Sequence, residues 1–234
     1  MVPDKPSDVA AALAAAARTI SAPKSLAETL DSIVHVARNT IPGVEQISIS
    51  VTHRNKKIET MAGTGELVWR MDQAQYEFGE GPCLDAVRTE ATVVAAEHLS
   101  RDQRWPQYVP VAVKAGVRAQ MGLQLYADET IGGLNLYSTA SDTFTPDTRS
   151  VAELFATHAA LVLGKARIEE QLNEALTTRK VIGQATGIAM ARFGIDEDLA
   201  FGYLIRVSQD GNIKLRRVAE QIVAHANEEG RRER

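Results

Sequence analysis

The sequence predicts an α+β protein in two parts, an antiparallel sheet carrying helices and then a long helix that leads into a small C-terminal helical bundle. Three observations predict it. Ile47, Ile49 and Val51 alternate with polar residues, as do Val117, Ala119, Met121, Leu123 and Leu125 with their neighbours, which is the period of a strand. Leu154, Leu161, Ile168, Ala175, Ile182 and Ala189 recur every seven residues with no proline between them, the period of one apolar helix seam. Beyond Phe193-Gly194, two short stretches carry apolar residues three and four apart, and three short helices can bury one another's stripes in a small bundle. A chain of 234 residues accommodates one domain of about 150 residues and a smaller one.

The elements follow in order. The alanine-rich stretch Asp8 to Ile20 favours helix. Ser25 to Ile41 is a stronger helix, opened by a Ser25/Glu28 capping box and stopped by Pro42-Gly43. A half-buried strand over Ile47 to Val51, a turn at His53 to Lys56 and a second strand around Ile58 to Ala62 come next. Gly63 to Ser100 reads as irregular, with a helix over Leu84 to Thr89 and a short apolar run at Thr92 to Ala96. After RDQRWPQY, a helix from Val109 to Ala115 precedes a hairpin whose strands, Val117 to Leu125 and Ile131 to Tyr137, are joined by an ADET turn. Thr145 caps and Pro146 opens a helix running to Phe193. Its second seam is poor, so the helix is expected to pack on its own domain first and on a partner helix later. Asp196 caps a helix with Leu199, Ala200, Tyr203, Leu204 and Val207 along one face, and Asn212 caps the last, which carries Leu215, Val218, Ala219, Ile222 and Val223.

Composition narrows the function. Hydrophobic residues make up 44% and charged residues 24%, so the chain has the makings of packed cores. A formal net charge of −4 argues against broad, non-specific adhesion to nucleic acid or anionic membrane. Cys83 is the only cysteine, which excludes an intrachain disulfide and a cysteine-rich metal site. With no basic secretory start and no apolar run near the roughly 20 residues of a membrane span, the expected location is the cytoplasm.

Nothing in the residues identifies an enzyme. Cys83, Asp85, His98 and Asp102 are titratable but form no recognisable triad, and the histidines, at 35, 53, 98, 158 and 225, are too scattered to suggest a metal site. Cys83 in GEGPCLDA admits a redox reading, since a thiol at a helix N-terminus can have a lowered pKa; a small buried hydrophobe is the preferred one. The glycines before it lack the lysine and hydroxyl pair of a phosphate loop. Between Arg179 and Arg217, seven basic residues stand against four acidic ones, and the acids cluster around the middle helix, leaving the flanking helices basic. Phosphate contacts need such cations.

The stretch RKVIGQATGIAMARFGIDEDLAFGYLIRVSQDGNIKLRRVAEQIV closely resembles the ANTAR domain, a three-helix RNA-binding module of bacterial antitermination regulators; Thr186 stands where many members carry lysine. Upstream, GEGPCLDAV, DQRWPQY, AGVRAQMGLQL and IGGLNLYS resemble the GAF portions fused to ANTAR domains in actinobacteria. The resemblance implies a GAF sensor domain over residues 10–165 and an ANTAR domain over 166–227, with the long helix spanning the junction. It also implies a homodimer that grips paired RNA hairpin loops and prevents a terminator from forming. The residues expected at RNA are Arg179, Lys180, Gln184, Ala185, Gly187, Arg206, Lys214, Arg216 and Arg217. A ligand pocket under a lid at Trp69 to Ser100 is expected to use Trp69, Cys83, His98, Trp105 and Asn135. The dimer seam is expected at Leu154, Leu161, Ile168, Leu172, Ala175 and Ile182. No cofactor carries over, since Leu84 follows Cys83 where bilin-linked relatives commonly have histidine. The input is a small molecule or an upstream signalling protein. Two other readings stay open: a sensor whose C-terminal bundle only dimerises or docks a protein, and a redox-sensing thiol protein centred on Cys83.

Overall fold

A computed structural model describes residues 14–21, 25–53, 55–89, 91–127 and 129–232. The chain divides into two compact units, Met1–Arg167 and Ile168–Arg234. Of the alanine-rich stretch at 8–20, residues 14–20 are helical (α1) and the remainder lies outside the described residues. In order follow α2 (Leu26–Thr40), β1 (Gln46–Thr52), β2 (Ile58–Gly63), α3 (Glu66–Phe78), α4 (Pro82–Arg88), β3 (Val93–Ala96), a 3-10 turn at Leu99–Arg101 and α5 (Tyr108–Lys114). Then come β4 (Ala119–Ala127), β5 (Glu129–Ser138), α6 (Pro146–Phe193), α7 (Glu197–Asp210) and α8 (Leu215–Arg232).

The sheet is antiparallel throughout, in the order β2-β1-β5-β4-β3. Its two faces differ in chemistry. Ile47, Ile49, Met121, Leu123, Leu125, Leu134 and Leu136 project into one core shared with Leu30, Ile33 and Val34 of α2 and Val151, Phe155 and Ala159 of α6. On the other side, Val68 and Met71 of α3, Trp105 ahead of α5, Tyr108 and Ala112 of α5, and Tyr137 form a second core. The alternation therefore reads correctly but its meaning changes: Ser48 and Ser50 are as buried as the isoleucines between them, because helices cover both faces.

Helix α3 is the element that sequence reasoning missed. Its buried positions are Val68, Met71, Asp72, Ala74 and Gln75, at helical spacing, but the two polar members break the apolar stripe on which recognition rests. Capping held elsewhere. Ser25 and Glu28 close the expected box, and Thr145 Oγ1 accepts from the Thr148 backbone N–H at 3.1 Å. Asp196 accepts from the Leu199 N–H at 2.9 Å. Asn212 does not open α8, which starts at Leu215; with φ +49 it takes the left-handed position that closes α7, a conformation asparagine tolerates.

In the C-terminal unit, Ala185, Ala189, Ala200, Leu204 and Ala219 form the core. This core is narrow because its members are small. Leu199 and Tyr203, expected on the buried face of α7, are 60% and 39% exposed.

Glycine marks where backbone approaches backbone. A Cβ on Gly122 of β4 would stand 2.5 Å from the Pro82 carbonyl oxygen and 2.9 Å from the Cys83 nitrogen, so only glycine lets the first turn of α4 rest on the sheet. Gly122→Ala is expected to cost about 1–3 kcal/mol, the range for overpacking, and to lower the urea midpoint accordingly. An unchanged midpoint would show that α4 is not seated as described.

Candidate functional site

The second face of the sheet builds the candidate site of the N-terminal unit. At its centre the Asp72 carboxyl from α3 is fully buried. Its Oδ1 accepts from the Tyr137 hydroxyl at 2.5 Å and from Asn135 Nδ2 at 3.1 Å; its Oδ2 accepts from Thr60 Oγ1 at 2.8 Å. Asn135 Nδ2 also lies 3.0 Å from Ser50 Oγ and 3.2 Å from Ser48 Oγ, and Gln75 Nε2 donates to Tyr137 at 3.1 Å.

The hydroxyls in this cluster form a directed chain. Ser50 Oγ accepts from Asn135 and from the Cys83 thiol at 3.6 Å, which occupies its lone pairs. Its own proton then goes to Tyr76 Oη at 2.6 Å, Tyr76 donates to Thr60 at 2.9 Å, and Thr60 donates to Asp72. Every donor points toward the carboxyl. Burial pushes Asp72 up to about 6, and hydrogen bonds from Ser48, Tyr137, Thr60 and Asn135 hold it from rising further. Burial, then the neighbouring Asp72 charge, pushes Tyr76, Tyr108 and Tyr137 upward too.

Two members of the chain, Thr60 and Tyr76, also line an open cleft of about 450 Å³ between β2, α3 and α4. Around them stand Trp69, 44% exposed, and the cations Lys56, Lys57 and Arg88 against the single acid Glu59. Lys57 pairs with Glu59 at 3.4 Å, and among the described residues no carboxylate pairs with Lys56 or Arg88. The cleft therefore carries excess positive charge beside an aromatic wall.

The five residues expected to make one pocket are dispersed. Trp69 lines the cleft, while Cys83 and Asn135 belong to the buried cluster behind it. Trp105 is core, its indole N–H donating to Asp85 Oδ2 at 3.0 Å, with the Arg104 guanidinium 4.2 Å above its ring. His98 is exposed, with φ +47 at the start of the 3-10 turn, and does not line the cleft. Cys83 lies at the N-terminus of α4 but is fully buried, and burial, then the Asp72 charge, pushes its thiol up to about 12. That keeps it protonated, the reverse of what a redox thiol requires. The lining residues Lys56, Thr60, Tyr76 and Arg88 were not anticipated, because they come from a turn, a strand and two helices, one of them unrecognised.

In the C-terminal unit, Arg179, Lys180, Gln184, Arg206 and Lys214 are exposed. Arg216 and Arg217 are less free than expected, since both bind Glu220, at 2.9 and 3.2 Å. Ala185 is buried in the bundle core, while a Cβ on Gly187 would meet nothing within 4 Å, so close helix packing explains the alanine and not the glycine. Thr186 is buried and donates to the Ile182 carbonyl at 2.9 Å. Of the seam residues, Leu154 and Leu161 in the N-terminal unit and Ile168, Leu172 and Ala175 in the C-terminal unit are exposed. Leu176, not anticipated, is 56% exposed, whereas Ile182 packs on the bundle core. Among the described residues, the exposed seam positions thus end before Ile182.

Asp72 yields a measurable pH dependence. Its native pKa near 6 exceeds its ordinary 3.8, so the folded state binds this proton more tightly than the unfolded chain. The resulting stability is fully present below about pH 4 and lost as pH rises through about 6, on the order of 3 kcal/mol for a two-unit shift. In urea titrations, wild type is expected to lose stability relative to Asp72→Asn between pH 4 and 7. A difference that stays flat across that range would contradict the buried carboxyl.

The GAF domain family matches residues 23–164 and the ANTAR domain matches residues 170–223. No curated protein matches the chain. Among solved structures, free methionine-R-sulfoxide reductase from Neisseria meningitidis, in complex with its substrate, is similar at 16% identity and TM-score 0.58, over 72% of this chain and 96% of that one. The GAF domain of an Acinetobacter phosphoenolpyruvate-protein phosphotransferase is similar at 19% identity and TM-score 0.53, over 68% and 94%. A bacteriophytochrome from R. palustris is similar at 12% identity and TM-score 0.57, over 79% of this chain but only 42% of its own. At such identities the structures speak for the fold alone. The chain belongs to the GAF domain family and carries an ANTAR domain at residues 170–223.

Proposed function

We propose that the protein is a signal-responsive transcription antiterminator: a dimer whose ANTAR domains bind paired hairpin loops of a nascent transcript, under the control of the GAF domain. The observation that carries this reading is the pairing, in one chain, of a sensor domain at 23–164 with an antitermination domain at 170–223. Holding the transcript in paired loops would keep the terminator hairpin from forming. Catalysis has no part in this reading, and the buried, protonated Cys83 supplies no nucleophile. No helix among the described residues is long and apolar enough to cross a membrane.

For the input we assign the cleft over Thr60 and Tyr76. Its excess cations favour a small organic anion, and its exposed indole favours a planar group beside that charge. In the buried cluster behind it, Asn135 Oδ1 has no hydrogen-bond partner among the described residues, and neither has Gln120 Nε2 beside Tyr108. Such atoms in a binding domain are suited to an incoming molecule or water.

For the output, exposed cations on α6, α7 and the start of α8 are the phosphate ligands. Affinity for a two-hairpin RNA is expected to fall linearly on a log–log plot as salt rises, and Arg206→Ala or Lys214→Ala to flatten that slope by about one unit each if each holds a phosphate. No binding at low salt would leave a sensor whose bundle only dimerises or docks protein.

The dimer contact is the exposed stripe of α6. Leu161→Glu with Leu172→Glu is expected to give a monomer by light scattering that keeps the helical circular dichroism of wild type, since both side chains are more than half exposed within one chain. A dimer that survives the pair would place the contact elsewhere.

A further inference from the structure

Within the C-terminal bundle, α6, α7 and α8 close on small side chains, and the larger rings stay outside. Phe193 and Tyr203 meet edge to face, with centroids 5.2 Å apart and planes at 61°, yet they are 51% and 39% exposed. Together they border a groove of about 420 Å³ with Ile188, Ala189 and Ile222 along its apolar part. Gln221, His225 and Arg192 complete the lining.

These three kinds of group are what an unpaired base requires. A ring gives a stacking surface, a side-chain amide offers one donor and one acceptor edge, and a guanidinium meets the adjoining phosphate. Gln221 and His225 stand one turn apart on α8 and so share one face, while Arg192 lines the groove from α6. Glu229 holds both Arg192, at 3.5 Å, and His225, at 3.1 Å, in exposed pairs that contribute little and can give way to a phosphate.

We infer that this groove seats one unstacked base of the bound RNA, with Tyr203 as its stacking surface and Gln221 on its hydrogen-bonding edge. The assignment rests on the proposed RNA binding and adds to it a base-reading subsite among residues outside the basic set. A second copy of the chain is the other occupant, and the test separates the two.

The full-length protein is used to select a two-hairpin RNA from a pool with randomised loops, and 5-iodouridine then replaces single loop positions for photo-crosslinking. The crosslinked peptide is expected to contain Tyr203 or Phe193. Tyr203→Ala is expected to weaken binding about 5- to 150-fold, the range for one lost base stack, and Tyr203→Phe to restore it. Thermal midpoint and oligomeric state are followed in both variants, and an unchanged midpoint separates lost stacking from lost folding. If no RNA is selected, the functional reading itself fails. If RNA binds but crosslinks elsewhere, and Tyr203→Ala binds as wild type, the reading stands and the groove assignment is overturned. If Tyr203→Ala changes oligomeric state and leaves RNA affinity intact, the groove belongs to a second copy and the assignment is overturned as well.

Discussion

One buried carboxyl governs the N-terminal unit. A charge removed from water is tolerated only where hydrogen bonds replace its solvent shell, and Asp72 sits where Tyr137, Asn135 and Thr60 all donate to it. That requirement explains why one face of a GAF sheet carries serines, an asparagine and a tyrosine where the opposite face carries isoleucines and leucines. It also explains the helices above it: α3 delivers the carboxyl, and α4 lies close enough to the strands for the Cys83 thiol to join the chain through Ser50. The two hydroxyls nearest the outside, Thr60 and Tyr76, belong both to this chain and to the cleft, so a molecule that bonds to either alters the donors available to Asp72. Such coupling gives a sensor a physical means of registering an occupant.

Much of the fold is legible in the sequence, for identifiable reasons. The Ser25/Glu28 box, the hairpin alternation and the unbroken seam of α6 are local patterns, and the structure shows each as an element. What escaped was non-local. Ser48 and Ser50 read as solvent-facing because period two cannot tell water from a covering helix, and α3 was lost because Asp72 and Gln75 occupy its buried stripe. Gly122 was the available clue, since a glycine inside a strand marks close approach, here of α4. The cleft was illegible for the same reason: it gathers Lys56, Thr60, Trp69, Tyr76 and Arg88 from four places in the chain.

The C-terminal unit follows a different economy of size. Alanines at 185, 189, 200 and 219 let three helices pack closely and leave little core to fill, so Leu199, Phe193 and Tyr203 remain at the surface. The basic residues there divide as well. Arg206 and Lys214 are exposed, whereas Arg216 and Arg217 share Glu220 in pairs that a phosphate would have to displace. Among the described residues, Leu154, Leu161, Ile168, Leu172 and Leu176 are the exposed large aliphatic side chains of α6.

Transcription in vitro tests the central claim most directly, on a template in which two hairpin loops overlap an intrinsic terminator. The account predicts that adding the full-length protein raises the fraction of read-through transcripts, and that disrupting either loop removes the effect. Termination that stays the same at saturating protein would contradict it.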